Sequence, residues 1–377
     1  MPLNTIPNKG LTSRGYPSDR LVTPIIINGD MSVAQRATSA TSLTSSGYHT
    51  VDRYRMGYTD SGTWTQTQES LSSGNAYLNG FRKSIKMDCT TAKSSLAANS
   101  ELWIEQRIEG QNLQMLKKGT ANAEKVTFSF WVKATKTGTY IISIYDNDNT
   151  RQCSQSYTVN SSNTWEKKIV TFPADTTGSL DNDNNYSFRI FWFIAMGSNY
   201  TSGTLQTTWA AFANANQAVG QVNGADSTDN NFELTGIQME VGEFDSTTIP
   251  SFPFESFENN FRKCCRYFQQ IGDGIYTDTS LGGNRLAIGQ RDGSGSSGGY
   301  PTVPVLSQLR STPSITYNNL NVRQDGSNKG ISSIDTIKNF GMTVSFNLTA
   351  DSNFSTGETF QIRTTTSNGY MRFDAEL

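Results

Sequence analysis

The chain has 377 residues, of which 35% are hydrophobic and only 17% are charged. Its 31 Lys and Arg residues against 33 Asp and Glu residues give a net charge of −2, which excludes the basic surface that nucleic acids or anionic membranes require. The single histidine, His49, excludes a His-rich metal site and restricts any Ser-His-Asp or Cys-His catalysis to that residue.

Residues 1–27 are predicted to form an extended N-terminal arm. This segment is rich in proline, which fixes φ and removes a backbone donor, and it shows no helical or strand periodicity. Such a segment is ordered only against another surface, so we expect it to anchor the chain to a partner. The expected anchoring contacts are its larger apolar side chains, namely Ile6, Leu11, Tyr16 and Leu21. The arm also lacks the apolar run of a secretory signal.

Residues 28–250 are predicted to form an antiparallel β-sandwich. Asn28-Gly29 is typical of a hairpin turn, and strand-like segments separated by Gly, Asn, Asp and Ser turns follow it. Residues 126–132 and 190–196 are apolar on both faces, so we expect these two strands to lie centrally. The longest apolar run, Ile190–Met196, is strand-sized, and no membrane insertion is expected. The predicted strands cover residues 48–59, 81–91, 102–110, 126–135, 139–147, 153–160, 165–173, 186–198 and 231–242.

A connecting helix is predicted within residues 251–271, followed by a smaller β domain over residues 272–377. Apolar side chains from Phe257 to Phe268 recur at helical spacing, and Gly272 is a credible stop signal. Beyond it, the Gly- and Ser-rich residues 293–299 are expected to form a flexible tip between strands. The four cysteines are predicted to be buried residues or free thiols, because they are too few for a disulfide framework.

Aromatic and acidic side chains supply the candidate binding residues. Trp64 and Trp209 occur in Thr-rich, loop-like contexts, where an exposed ring would stack on the CH face of a sugar, whereas packing in the core is the alternative. Two Asn-rich loops carry carboxylates dense enough to hold a structural Ca²⁺ ion, although Asx residues also form ordinary solvated turns. The loop carboxylates are those of Asp146, Asp148, Asp181 and Asp183.

No catalytic residue or required cofactor is predicted. Glycoside hydrolysis needs two carboxylates about 5–10 Å apart in a cleft. The sequence contains acids such as Glu101, Glu105, Glu109 and Glu240, but no pattern marks two of them as a catalytic pair. Glu105 and Glu109 are predicted to lie on an exposed strand face. We therefore expect a protein that is not an enzyme.

Several motifs, taken together, form a joint pattern that resembles a known protein family. The opening IINGDMSVAQR (26–36) followed by YHTVDRYRM (48–56) is similar to the start of that family. CCRYFQQ (264–270) and the final GYMRFDAEL (369–377) resemble its later part. Further matching segments are IEGQNL (108–113), VTFSFWVKATKTGTY (126–140), NTWEKKIVTFPADTTG (163–178), GQVN (220–223) and FELTGIQMEVG (232–242). The family that these motifs resemble is one of bacteriophage virion proteins, common among marine and cyanobacterial phages.

The resemblance implies a jelly roll of the carbohydrate-binding-module type, followed by a smaller β domain. It also implies a structural role in the virion, most often as a tail fibre or spike, and it transfers no active site. Phage fibres are generally homotrimers, so the expected partners are two further copies, other virion proteins such as a tail adaptor, nozzle or capsid protein, and host surface polysaccharide. A capsid decoration or head-fibre protein is the first alternative, and a polysaccharide depolymerase is the second.

Overall fold

The computed structural model describes residues 24–272, 285–291, 298–324, 326–352, 359–366 and 368–377. The chain divides into two compact units whose boundary in the sequence lies between Phe257 and Glu258. Both units are built from antiparallel strands, which confirms the predicted all-β, jelly-roll-like sandwich fold. No helix in these described ranges is long and apolar enough to cross a membrane.

Two six-stranded sheets form the first unit. The first sheet has the order β1-β3-β4-β12-β6-β9, and the second has the order β11-β8-β7-β10-β5-β2. The strands are β1 (Ser39–Leu43), β2 (Arg55–Thr59), β3 (Thr63–Ser70), β4 (Lys83–Thr91), β5 (Glu101–Glu109), β6 (Val126–Ala134), β7 (Gly138–Asp146), β8 (Arg151–Val159), β9 (Glu166–Phe172), β10 (Tyr186–Met196), β11 (Ala210–Ala211) and β12 (Asn231–Val241). Two short helices, α1 (Gly74–Leu78) and α2 (Ser198–Thr201), lie in the connections.

The core between the two sheets is closed by aromatic side chains. Trp192 of β10 is fully buried and packs edge-on against Phe128 and Phe130 of β6, at ring-centroid distances of 6.3 and 6.1 Å. Edge-to-face pairs of this kind add about 0.5–1.5 kcal/mol to the burial of their area. As predicted, β6 and β10 lie inside their sheets, with a hydrogen-bonded strand on each side.

The segment before β1 does not form the predicted hairpin. Asn28 takes a left-handed conformation, with φ of 60°. Its side chain accepts a hydrogen bond from the Val33 amide and donates to the Val33 and Asp52 carbonyls, all at 2.9–3.0 Å. The amide side chain therefore closes a loop where an Asn-Gly turn would have paired two strands. Ile25 and Ile26 belong to the sandwich core, so the buried part of the unit begins before residue 28.

A three-stranded sheet of order β13-β22-β16 and a seven-stranded sheet of order β18-β17-β21-β14-β15-β20-β19 form the second unit. Its core includes Phe346, Phe360 and Phe373, all fully buried. The strands are β13 (Phe268–Gly272), β14 (Arg285–Arg291), β15 (Gly298–Pro304), β16 (Ser314–Asn318), β17 (Leu320–Gln324), β18 (Ser327–Lys329), β19 (Ile331–Asn339), β20 (Thr343–Ala350), β21 (Thr359–Thr364) and β22 (Tyr370–Asp374).

The predicted helix is correct only in its first part. Helix α3 spans Phe257–Cys265, and the chain then enters β13 at Phe268. Strand β13 pairs with β22 from Phe268 opposite Asp374 to Gly272 opposite Tyr370. Long-range strand pairing therefore overrides a helical spacing that Phe268 matches by coincidence. Gly298 and Gly299, predicted as part of a flexible tip, begin β15, while residues 292–297 lie outside the described residues.

The buried cysteines give a simple test of the packing. None of the four cysteines forms a disulfide bond, and all four are buried. Burial raises the pKa of the Cys89 thiol to about 11 and that of the Cys153 thiol to about 12. At mildly alkaline pH a thiol-specific reagent should therefore label native protein very slowly, whereas all four thiols should react in guanidinium chloride. Rapid labelling of native protein, located by peptide mass spectrometry, would contradict the packing around the labelled cysteine.

Candidate functional site

A groove runs over the outer face of the second sheet, on the side away from the sandwich core. Its volume is about 320 Å³. Three strands of the sheet, β5, β7 and β10, supply its floor, and a covering segment (residues 198–218) supplies the remaining wall. The lining residues are Glu101, Trp103, Tyr145, Asn147, Arg189, Phe191, Phe193, Tyr200, Phe212, Asn214 and Gln217.

Strand alternation determines which side chains face the groove. On β10, Ile190, Trp192 and Ile194 belong to the sandwich core. The alternate residues Phe191 and Phe193 point to the opposite face, where they cluster with Ala218 of the covering segment. Cross-strand pairing places Trp103 of β5 opposite Phe193 and Tyr145 of β7 opposite Arg189. One face of three neighbouring strands thus carries a continuous aromatic floor.

The aromatic rings of the floor are packed against one another. The Trp103 ring stands edge-on to Phe191 at 5.6 Å and to Phe193 at 6.4 Å, while Phe191 and Phe193 are stacked at 5.6 Å. At the other side of the groove, Tyr145 and Phe212 form an edge-on pair at 5.1 Å. Phe212 is 37% exposed, so a ring of this pair is open to solvent. The floor is therefore preformed rather than assembled by a ligand.

Trp103 depends on a glycine in the neighbouring strand. Gly57 of β2 lies opposite Trp103 in the ladder, and a Cβ atom at position 57 would lie 1.9 Å from Trp103 Cε2. The indole therefore lies directly on the β2 backbone, which only a residue without a side chain permits. The indole Nε1–H of Trp103 has no hydrogen-bond partner among the described residues.

A buried carboxylate organises the arginines beside the aromatic floor. Glu105 is fully buried, contrary to the exposed strand face predicted for it. Its Oε1 atom accepts hydrogen bonds from Arg55 Nη1 and Arg107 Nη2, both at 3.0 Å. Its Oε2 atom lies 2.8 Å from Arg189 Nε and 2.7 Å from Arg189 Nη2. The Arg189 guanidinium also lies 4.7 Å from the Phe191 ring centroid, which fixes it over the floor.

Tyr200 connects the covering segment to the opposite end of the groove. Burial, together with a hydrogen bond to Glu101 and the charge of that carboxylate, raises the pKa of Tyr200 above its ordinary value. The hydroxyl therefore stays protonated and donates to Glu101, which also accepts from Thr59 Oγ1 at 3.3 Å. Backbone hydrogen bonds from Tyr200 to Gly197 and from Ala218 to Tyr200 close the segment on itself.

The structure does not place either predicted tryptophan in the groove lining. Trp64 is fully buried in the sandwich core, with its Nε1 donating to the Ser61 carbonyl at 2.7 Å, so the expected sugar-stacking role is wrong for this residue. The reason is that Thr63–Ser70 is strand β3, not a loop, and Trp64 occupies an inward position. Trp209 is partly buried, stacks on Phe188 at 5.8 Å and donates to the Pro173 carbonyl at 2.8 Å.

The predicted calcium loops are neighbours, but their carboxylates contact protein donors. Asp146 is fully buried and forms an ion pair with Lys118 at 2.6 Å. Asp148 Oδ2 accepts from the Asp181 amide, and Asp183 Oδ1 from the Asn185 amide, each at 2.9 Å. Across the described ranges, no group of three or more His, Cys, Asp or Glu side chains is arranged to hold a metal ion.

The remaining predicted site residues cannot be placed. The anchoring residues Ile6, Leu11, Tyr16 and Leu21 lie outside the described residues. Conversely, sequence reasoning missed the groove itself. A usable signal was the alternation in β5, which puts Trp103 on the same face as Glu101 and Glu105.

Comparisons with known proteins give only distant similarities. No protein-family model matches the chain, and no curated protein matches it. Among solved structures, the enzymatically active domain of bacteriophage CBA120 tailspike protein 4 is 11% identical with a TM-score of 0.29, and the match covers 58% of this chain and 21% of that one. The CBM22-1 xylan-binding domain of Paenibacillus barcinonensis Xyn10C is 10% identical with a TM-score of 0.24, covering 55% and 94%. A family 16 carbohydrate-binding module is 13% identical with a TM-score of 0.22, covering 48% and 89%. Because TM-scores this low establish no common function, the interpretation of the groove rests on its own geometry.

The Lys118 network should be a major source of stability. Lys118 is 7% exposed and bridges Asp146 and Asp175, and Arg151 also binds Asp175 through two hydrogen bonds. Lys118→Met should lower the free energy of unfolding by about 3–5 kcal/mol, because it takes the ion-pair partner from the buried Asp146 carboxylate and one of two cations from Asp175. The control Lys117→Met removes an exposed ion pair with Glu124 and should cost about 0–1 kcal/mol. Urea denaturation, followed by tryptophan fluorescence, measures the free energy of unfolding of both variants. Equal losses would contradict the stabilising role of the Lys118 network.

The same network predicts a pH dependence. Burial alone would raise the pKa of Asp175, but its hydrogen bonds with Arg151, Lys118 and the Thr177 amide lower it below the ordinary value. Its contribution to stability is therefore present above the unfolded pKa of an aspartate and is lost as the pH falls through the lower folded pKa. Wild-type urea midpoints should decrease over this acidic range, and the decrease should be smaller in Lys118→Met. A variant that loses stability on acidification as steeply as the wild type would contradict this origin.

Proposed function

We propose that this chain is a non-catalytic, glycan-binding structural protein of a bacteriophage virion, and that the groove on the second sheet binds the glycan. The observation that carries the proposal is the combination, in one groove, of a preformed aromatic floor with polar groups that converge on it. The apolar CH face of a pyranose ring packs on an aromatic ring, and its hydroxyls need donors and acceptors at the rim.

The polar rim of the groove suits hydroxyl-rich ligands. Asn147, Asn214 and Gln217 line it, and their amides supply both donors and acceptors. Arg189 and Glu101 add one charged group each. Phe191 and Phe193 are buried, so a sugar ring would pack on the more exposed rings of Trp103, Tyr145 and Phe212. The neighbouring amides would then bind its hydroxyls, which supports a carbohydrate over a purely apolar ligand.

The carboxylates of the site support binding without hydrolysis. Glycosidases use two carboxylates about 5–10 Å apart, one on each side of the scissile bond. Among the described residues that line the groove, Glu101 is the single acid. Glu105 is fully buried beside the floor and forms ion pairs with arginines, so it is not available as a general acid. The alternative of a depolymerase would require a second acid at the groove.

The virion role is supported by the sequence resemblance over residues 26–377. We propose a tail fibre or spike, active as a homotrimer, with residues 1–23 as the virion anchor. Three identical grooves would raise the avidity for a repetitive host polysaccharide even where each site binds weakly. A capsid decoration or head-fibre protein remains the second candidate, and it would differ in copy number per particle.

Removal of an exposed groove aromatic should weaken glycan binding. Phe212→Ala removes an exposed ring of the groove and should weaken binding about tenfold, because one ring–sugar contact is lost. The control Phe340→Ala removes a 63% exposed ring from the second unit and should leave binding unchanged. Both are measured by affinity electrophoresis on a panel of bacterial surface polysaccharides. Equal binding by the two variants would place the glycan elsewhere, and release of reducing sugar by the wild type would favour the depolymerase.

Deletion of residues 1–23 should separate folding from virion attachment. The deletion spares Ile25 and Ile26, which pack in the sandwich core, so the shortened chain should fold and form the same oligomer as the full chain. It should nevertheless be missing from particles of the phage that encodes it. Light scattering measures the oligomer, and quantitative mass spectrometry of purified particles measures incorporation and copy number. Normal incorporation would refute the anchoring role.

A further inference from the structure

The arginines around Glu105 carry more positive charge than this one carboxylate neutralises. Even with Arg107 set aside, Arg55 and Arg189 share one carboxylate, which neutralises only one of their two positive charges. Their side chains are 23% and 22% exposed, whereas Glu105 is 0% exposed. The negative charge of Glu105 is therefore buried, whereas the positive charges of the two arginines are partly exposed to solvent.

Arg189 is oriented for recognition of an anion in the groove. Its Nε and Nη2 atoms contact Glu105 Oε2, and its plane lies against Phe191. The Nη1 atom donates to no residue that the structure describes, and Arg189 lines the groove. A guanidinium fixed in this way loses little rotamer entropy when it binds a carboxylate, which its planar donors fit.

The two charged groups of the groove lie at opposite ends. The Arg189 guanidinium contacts Glu105, while Glu101 lies four positions earlier, at the start of β5. Four positions correspond to about 13 Å of extended strand, which exceeds the Debye length of about 8 Å at physiological ionic strength. An anion beside Arg189 therefore lies far from the charge of Glu101, and at short range the cationic end of the groove acts alone.

We propose that the groove selects acidic polysaccharides, with a uronate carboxylate bound at Arg189. This inference rests on the proposed glycan-binding function and names its ligand class. The bound carboxylate compensates the excess positive charge as the sugar displaces water from the floor. A neutral glycan at the same position would desolvate Arg189 without supplying a counter-charge, which costs binding free energy.

Carboxyl reduction provides the matched probe, because it converts uronates to neutral sugars and keeps the backbone of the polymer. The full-length protein is titrated with alginate, polygalacturonate and gellan, each in its native and carboxyl-reduced form, by biolayer interferometry. At least one native polymer should bind about tenfold more tightly than its reduced form, as expected for one charge-assisted hydrogen-bonded contact. Added NaCl should weaken only the binding of the native form.

Two variants test whether Arg189 is responsible for the preference for the native polymer. Arg189→Gln should reduce the native-to-reduced ratio below about threefold, because the charge-assisted contact with the uronate carboxylate is lost. Arg262→Gln removes the same charge from an arginine that is 58% exposed in the second unit and should keep the wild-type ratio. A thermal melt of each variant tests whether it folds. The comparison of native with reduced polymers on the wild-type protein does not depend on either variant.

The outcomes separate this inference from the proposed function. Equal wild-type binding of native and reduced forms, or a preference that survives Arg189→Gln, would overturn the acidic selectivity and leave glycan binding intact. If the wild type bound none of the six polymers and none of the bacterial surface polysaccharides, both the acidic selectivity and the proposed glycan binding would be overturned.

Discussion

Burial of both faces of β10 is the constraint on which the first unit depends. Its inward side chains, including Trp192, close the sandwich core, and its outward side chains Phe191 and Phe193 are buried by Ala218 and its neighbours. A single strand therefore joins the stability of the fold to the shape of the groove floor. Because protein interiors are close-packed, a floor supported in this way is rigid before any ligand arrives.

Glu105 shows how a charged group can be buried beside an otherwise aromatic surface. An isolated buried carboxylate is strongly unfavourable, and Arg55, Arg107 and Arg189 offset that cost by hydrogen-bonding both of its oxygens. In return, the carboxylate fixes the arginines in one arrangement across β2, β5 and β10. The Lys118 network does the same for the loops that carry Asp146 and Asp175, with an ammonium group where the sequence suggested calcium.

The sequence was most informative where local periodicity and tertiary structure agree. Strands β6 and β10 were predicted from short apolar runs, and the antiparallel sandwich from alternating segments separated by turn residues. The prediction failed where long-range contacts decide. Trp64 looked like a loop residue because its Thr- and Gln-rich strand lacks apolar alternation, and Phe268 matched a helix although its strand pairs with residues at the other end of the chain. The groove escaped prediction because its lining comes from several separate segments that only the sheet register brings together.

The covering segment has a consequence for how such a protein could diversify. Tyr200, Phe212, Asn214 and Gln217 all belong to one continuous stretch, whereas the floor beneath them is shared with the core. Recombination that exchanges this stretch would therefore re-shape one wall without disturbing the hydrophobic interior. If the groove meets a host glycan, adaptation to a new receptor is open to modular replacement of a wall, while the strand beneath it stays under constraint from folding.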